Sequence, residues 1–129
     1  MVHLDQVGFT ITVKNKNDEL LILTNHHVID GAEELSVQFV NEKSYDAVVK
    51  GSSEKKDVAI ISVKVKDIDN ATMESIKIAT IGDSNKLKVG NGIIAIGNAL
   101  GYGQSVTTGV VSALNREVTM DNTRTKMIQ

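Results

Sequence analysis

The fold class that this sequence predicts is an all-β barrel, and three observations carry the expectation. Apolar or alternating runs of strand length recur along the chain. Turn-rich polar pieces separate them, and glycine clusters in the last third, at 82, 90, 92, 97, 101, 103 and 109. Short runs rich in β-branched residues, spaced by turn signals, are how a sandwich or barrel reads in sequence. Glycines at strand bends and bulges suit barrel corners.

In chain order, the expected strands are 9–13 (FTITV), 20–24 (LLILT), 35–40 (LSVQFV), 45–50 (YDAVVK), 58–65 (VAIISVKV), 76–81 (IKIATI), 93–96 (IIAI) and 106–114 (VTTGVVSAL). KNKND (14–18), GSSEKKD (51–57), VKDIDNATMES (65–75) and GDSNK (82–86) supply the turns between them. Two stretches resist a strand reading: HVIDGAEE (27–34) has the texture of a helical turn, and KDIDNATMESI (66–76) that of a loop or short helix. Asn91-Gly92 reads as a turn where positive φ is tolerated, and 97–103 as a loop between strands. Gly90, Gly92 and Ala95 satisfy a dinucleotide-binding spacing, but the strand-like IIAIG follows where that fold needs a helix.

A chain of 129 residues fits one ordinary domain and is long enough to bury roughly two thirds of its unfolded surface. Fourteen basic against sixteen acidic residues give a net charge of −2, with no basic block to follow a phosphate backbone, so nucleic acid is not an expected partner. Cysteine is absent, which removes disulfides, thiolate nucleophiles and Cys-based zinc sites. The N-terminus has neither the charged nor the apolar region of a signal peptide, and no run reaches the length of a membrane span. A soluble chain cut from something longer is expected.

LTNHHVID (23–30) places two histidines side by side at the end of an apolar run. Adjacent strand residues point to opposite faces, and no third ligand stands at metal spacing, so a shared metal is not expected. A pair of this kind is most often a polar strand end. Asp57 ends the charged stretch SSEKKD and opens VAIISV, which puts a carboxylate at the mouth of an apolar strand; its ordinary reading is a solvated loop residue beside Lys55 and Lys56.

Three blocks taken together say more. LTNHHVIDGAEELSV (23–37), KKDVAIISVKV (55–65) and IGDSNKLKVGNGIIAIGNALGYGQSVTTGVVSALNR (81–116) resemble, in order and relative position, the HtrA (Deg) branch of the trypsin-like serine proteases, over about residues 7–129. The family's histidine lies in a Thr-Asn-x-His-Val pattern, which maps onto Thr24, Asn25, His26, His27 and Val28. By that resemblance His27 is the general base and His26 fills the variable position. The family's aspartate opens an Asp-(Ile/Val)-Ala-(Val/Ile) strand, matched by Asp57, Val58, Ala59 and Ile60. The order His27 then Asp57 also fits the chymotrypsin-like arrangement, in which the serine comes last. A serine hydroxyl is a weak nucleophile until an imidazole takes its proton, and the carboxylate holds that imidazole in the right tautomer. Two departures stand against the pattern: Val7-Gly8-Phe9 replaces a Gly-Ser-Gly start, and Ala99 stands where proline is usual.

The resemblance implies a first trypsin-like antiparallel β-barrel, complete over 1–81 with His27 and Asp57, followed by a linker and an incomplete second barrel over 82–129. It also implies a serine in a Gly-Asn-Ser-Gly-Gly type loop, which this sequence lacks. Gly82-Asp83-Ser84 is a poor substitute, because Asn85 and Lys86 follow where glycines would be needed. The expectation is therefore a piece of an HtrA-like endopeptidase acting on unfolded or damaged polypeptides, inactive by itself, with no cofactor and no metal. Self-association through unfinished strand edges is expected, and family analogy points to an extracytoplasmic or membrane-anchored bacterial protein. The alternative is a non-catalytic, protease-like barrel that serves as a chaperone-like or protein-binding module.

Overall fold

The computed structural model describes residues 2–3, 11–14, 18–97, 105–120 and 123–129. They fall into two compact units, one within residues 1–80 and one formed by 81–97 and 105–129.

The first unit is built on six strands: β1 (Val2–His3), β2 (Ile11–Lys14), β3 (Glu19–Thr24), β4 (Leu35–Gln38), β5 (Ser44–Ser53) and β6 (Val58–Lys64). They form one sheet in the order β1-β4-β5-β6-β3-β2. Only β1 and β4 run parallel; the other neighbours are antiparallel. Burial alternates along β3, where Leu20, Ile22 and Thr24 are buried and the residues between them only half-buried. Register sets these three opposite Val63, Ile61 and Ala59 of β6, which are buried as well. Val28, Ile29, Val37, Ala47 and Ile68 complete the core. Full burial of a side chain such as Ile22 or Ile61 stabilises the fold by about 1.5–3 kcal/mol.

The expected barrel is corrected here: no sheet closes among the described residues. The first unit remains an open sheet whose edges, β1 and β2, have no ladder between them among the described residues. Closure requires the edge strands to tilt and stagger until they pair, and edges of two and four residues offer little length for it. The architecture that stands is a mostly antiparallel β arrangement.

Several local expectations also change. The run 35–40 ends as a strand at Gln38, because Phe39 and Lys43 close a turn in which the Phe39 N–H donates to the Lys43 carbonyl at 3.0 Å. Strand β5 continues through Gly51 to Ser53 past a bulge between Val49 and Gly51, so Lys50 is the extra residue. Its ammonium lies 2.6 Å from Glu19. Residues 76–81 form no strand. They leave α2 (Asn70–Ser75), the short helix expected within 66–76, without a ladder partner.

The start of α2 is held by polar groups. Asp69, its N-cap, accepts from the Thr72 N–H at 3.0 Å, from the Thr72 hydroxyl at 2.9 Å, from the Tyr45 hydroxyl at 2.5 Å and from Lys43 Nζ at 2.9 Å. The Lys43 ammonium foremost, then the Tyr45 hydroxyl and the Thr72 donors, hold the Asp69 carboxyl far below the usual carboxylate range. Thr72 is fully buried, and the Asn41 amide donates to its hydroxyl at 2.6 Å. Phe39 packs edge-on against Tyr45, with ring centres 5.8 Å apart.

In the second unit, β7 (Gly92–Gly97) pairs with β8 (Ser105–Val110), and β9 (Arg116–Met120) with β10 (Thr123–Met127), as separate two-stranded sheets. The incomplete second barrel expected here is thus two antiparallel ladders that do not join among the described residues. The turn before β7 takes its positive φ at Gly90 rather than at Gly92. The Lys88 N–H donates to the Asn91 side chain at 2.9 Å. Val111 is buried, whereas Ile94, Val106 and Val110 are exposed. Most of the expected 97–103 loop, including Ala99, and Val7-Gly8-Phe9 near the start lie outside the described residues.

Candidate active site

Strand register builds this site. Thr24 at the end of β3 faces Ala59 near the start of β6, so the residues just after Thr24 meet those just before Val58. On one side the chain turns into α1 (His26–Ile29), a single helical turn anchored by buried Val28 and Ile29. On the other side, a 3-10 turn at Glu54–Lys56 ends on Asp57, whose N–H donates to the Glu54 carbonyl at 2.9 Å. Asp57 stands in the left-handed region at φ 48°, ψ 49°. Non-glycine residues pay roughly 1–2 kcal/mol for that conformation, and such strain persists only where surrounding contacts over-determine it.

Those contacts are present. The backbone N–H of His27 donates to Asp57 Oδ1 at 2.9 Å. The His27 ring sets Nδ1 at 2.8 Å from Oδ2 and 3.0 Å from Oδ1. The amide of Asn25 donates to Oδ2 at 3.1 Å and to the Asp57 carbonyl at 3.0 Å. The His27 backbone N–H is the largest influence holding the Asp57 carboxyl below its ordinary value; partial burial opposes it, and the His27 ring and the Asn25 amide add to it. An ionised carboxylate can only accept, so it selects the His27 tautomer with hydrogen on Nδ1, which leaves Nε2 able to take a proton. The His27 and Asp57 side chains are 62% and 47% exposed.

The structure therefore brings His27 and Asp57 together. His26 does something different: its Nδ1 is buried and finds no hydrogen-bond partner among the described residues. Ser84 sits in the second unit on a 3-10 turn, Ser84–Lys86, whose preceding Asp83 accepts from the backbone and side chain of Asn85. Asn25 is the residue that sequence reasoning passed over. It was visible only as a motif letter, and its two bonds to Asp57 depend on a contact across 32 positions.

A trypsin-like peptidase domain profile matches residues 8–129. The chain belongs to the trypsin-like peptidase family. Its relatives are of the HtrA type. Serine protease Do-like HtrB of Bacillus subtilis is 35% identical over 116 residues, which cover 88% of this chain and 24% of that protein. A serine protease HtrA-like of Staphylococcus epidermidis is 38% identical over 119 residues, 91% of this chain and 19% of that one. A Haemophilus influenzae protein named "Probable periplasmic serine protease do/HhoA-like" is 41% identical over 101 residues, 78% of this chain and 20% of that one. Among solved structures, the HtrA-type protease AlgW with a decapeptide aligns at TM-score 0.64 and 30% identity, over 85% of this chain and 30% of that one. The serine endoprotease from Yersinia pestis aligns at TM-score 0.62 and 29% identity, over 83% and 35%. This HtrA-type peptidase chain thus spans about a fifth to a quarter of the length of the curated relatives it matches.

Proposed function

We propose that this chain contributes the base and its orienter to an HtrA-like serine endopeptidase. His27 takes the proton of a serine hydroxyl through Nε2, and Asp57 holds the imidazole tautomer and stabilises the imidazolium that forms. The observation that carries the reading is the 2.8 Å approach of His27 Nδ1 to Asp57, reinforced by the His27 backbone N–H on the same carboxylate. The serine and the oxyanion donors come from outside residues 1–129, and the chain by itself is inactive. Unfolded polypeptide is the substrate class, and an extracytoplasmic bacterial setting is the compartment. The name of the Haemophilus influenzae relative, which includes the word periplasmic, supports the compartment, and the substrate class follows from the family resemblance.

The test joins the chain to a nucleophile-bearing continuation from an HtrA-type relative and measures cleavage of an unfolded protein. Cleavage by that form, lost in His27→Ala and absent from the 129-residue chain, supports the reading. A folded, joined form that binds the substrate without cutting it makes the domain a binding module instead. Self-association belongs to the same proposal, supported by the open edges at β1 and β2 and by exposed Ile94 and Val106. Sedimentation equilibrium showing only monomer at high concentration would remove it.

A further inference from the structure

Asparagine is among the best helix N-caps because its side-chain oxygen accepts a backbone N–H of the first turn. Asn25 occupies the N-cap of α1 with the extended backbone of a capping residue, φ −84° and ψ 149°, yet its side chain makes no capping bond. Its amide is turned the other way, onto two oxygens of Asp57: the main-chain carbonyl at 3.0 Å and Oδ2 at 3.1 Å. Both partners are pure acceptors, so the side chain must present its NH₂ and not its oxygen, which settles the amide orientation on chemical grounds.

The second observation is the state of Asp57 itself. It is a non-glycine residue in the left-handed region, and its carboxylate has one oxygen on the His27 backbone N–H and the other on the Asn25 amide. Among the described residues, Asn25 bonds through its side chain to both the main-chain carbonyl and the carboxylate of Asp57. It thereby fixes the rotation of the carboxylate relative to a main chain that would otherwise relax. We infer that Asn25 is a positioning residue, whose amide clamps the Asp57 main chain to its carboxylate so that the carboxylate faces His27 Nδ1. The inference rests on the roles proposed above for His27 and Asp57. It adds a group that touches neither substrate nor nucleophile and acts only through Asp57.

A merely structural Asn25, acting as a helix cap, makes the opposite prediction for one substitution. Asn25→Asp keeps the size and the capping ability of the side chain but cannot donate; Asn25→Ala removes the amide without adding charge. The experiment follows the 129-residue chain by NMR, reading the Asp57 carboxyl carbon through an acid titration and the His27 ring nitrogens at a pH where the imidazole is neutral. In both variants the positioning role predicts a folded spectrum, an upward move of the Asp57 midpoint and a loss of the Nδ1–H tautomer in favour of Nε2–H. The added charge of Asn25→Asp can move the midpoint by itself, so the tautomer ratio decides for that variant and both readouts decide for Asn25→Ala. Wild-type tautomer ratios in Asn25→Asp, or wild-type values of both readouts in Asn25→Ala, overturn the inference. So does failure of both variants to fold, which would make Asn25 structural. Neither readout needs a nucleophile. A joined protein that cuts nothing would therefore retire the proposed peptidase function and leave the Asn25 result to stand or fall separately.

Discussion

Replacing Ile61 by alanine tests how the two faces of β6 are assigned. Ile61 is fully buried on the central strand β6, opposite Ile22 on one side and Val49 on the other. The change removes three carbons, about 2.4 kcal/mol of transfer free energy at roughly 0.8 per methylene. If half of their volume of about 80 Å³ stays empty, the residual cavity adds about 1 kcal/mol at roughly 24 cal/mol per Å³. A loss of about 3–4 kcal/mol is a large part of the 5–15 kcal/mol typical of a domain. The neighbouring Ile60 points to the opposite face and is 39% exposed, against 0% for Ile61. With more than a third of its surface still exposed, Ile60 loses less on truncation, and Ile60→Ala should cost under about 1.5 kcal/mol. Urea unfolding followed by circular dichroism gives both values, provided the slope of the transition is unchanged between variants. Equal losses for the two substitutions would refute the assignment of faces, because they would mean that Ile60 is covered as fully as Ile61.

Three further outcomes follow from the polar groups. Asp69 has a folded-state pKa below its unfolded value of 3.8, so its contribution is present above that value and lost as pH falls through the folded one. Asp69→Asn should lower stability at pH 7 and flatten the acid limb of a urea-midpoint profile; parallel acid limbs would contradict the network. Thr72→Val keeps the shape of a fully buried side chain but leaves the Asn41 amide without its acceptor, and should cost about 1–2 kcal/mol in the same assay. In a joined, active form, Asp57→Asn should lower kcat on the order of 10⁴-fold by releasing the wrong His27 tautomer, with KM little changed in steady-state kinetics.

Sequence made legible whatever depends on near neighbours. The strand at 20–24 was visible as a short apolar run, but LLILT is apolar at four successive positions, so the choice of Leu20, Ile22 and Thr24 as its buried face was not. Local texture pointed to a helical turn within 27–34, which forms at His26–Ile29, and to a loop or short helix within 66–76, where Asn70–Ser75 is helical. His27 and Asp57 were singled out by motif, and the structure sets them in contact. The rest depends on proximity in space. Whether β1 and β2 meet is decided by long-range pairing and not by either segment. The bulge at Lys50 follows from the offset of two paired strands, and no local signal distinguishes Val49 from Gly51 as its limits. The run 76–81 has strand composition but finds no partner, and a strand without a ladder does not form. The two donations of Asn25 to Asp57 join residues 32 apart, beyond the reach of any window.

Left-handed Asp57 sets a limit on how far this region can be improved. A sequence selected only for folding strength would replace it with glycine, which enters that conformation freely, or with asparagine, which tolerates it. Either choice deletes the negative charge beside His27. Consensus-style stabilisation applied blindly at position 57 would thus relieve the backbone strain at the expense of the carboxylate–imidazole contact, whereas the interior positions around Ile22 and Ile61 can be optimised without that conflict.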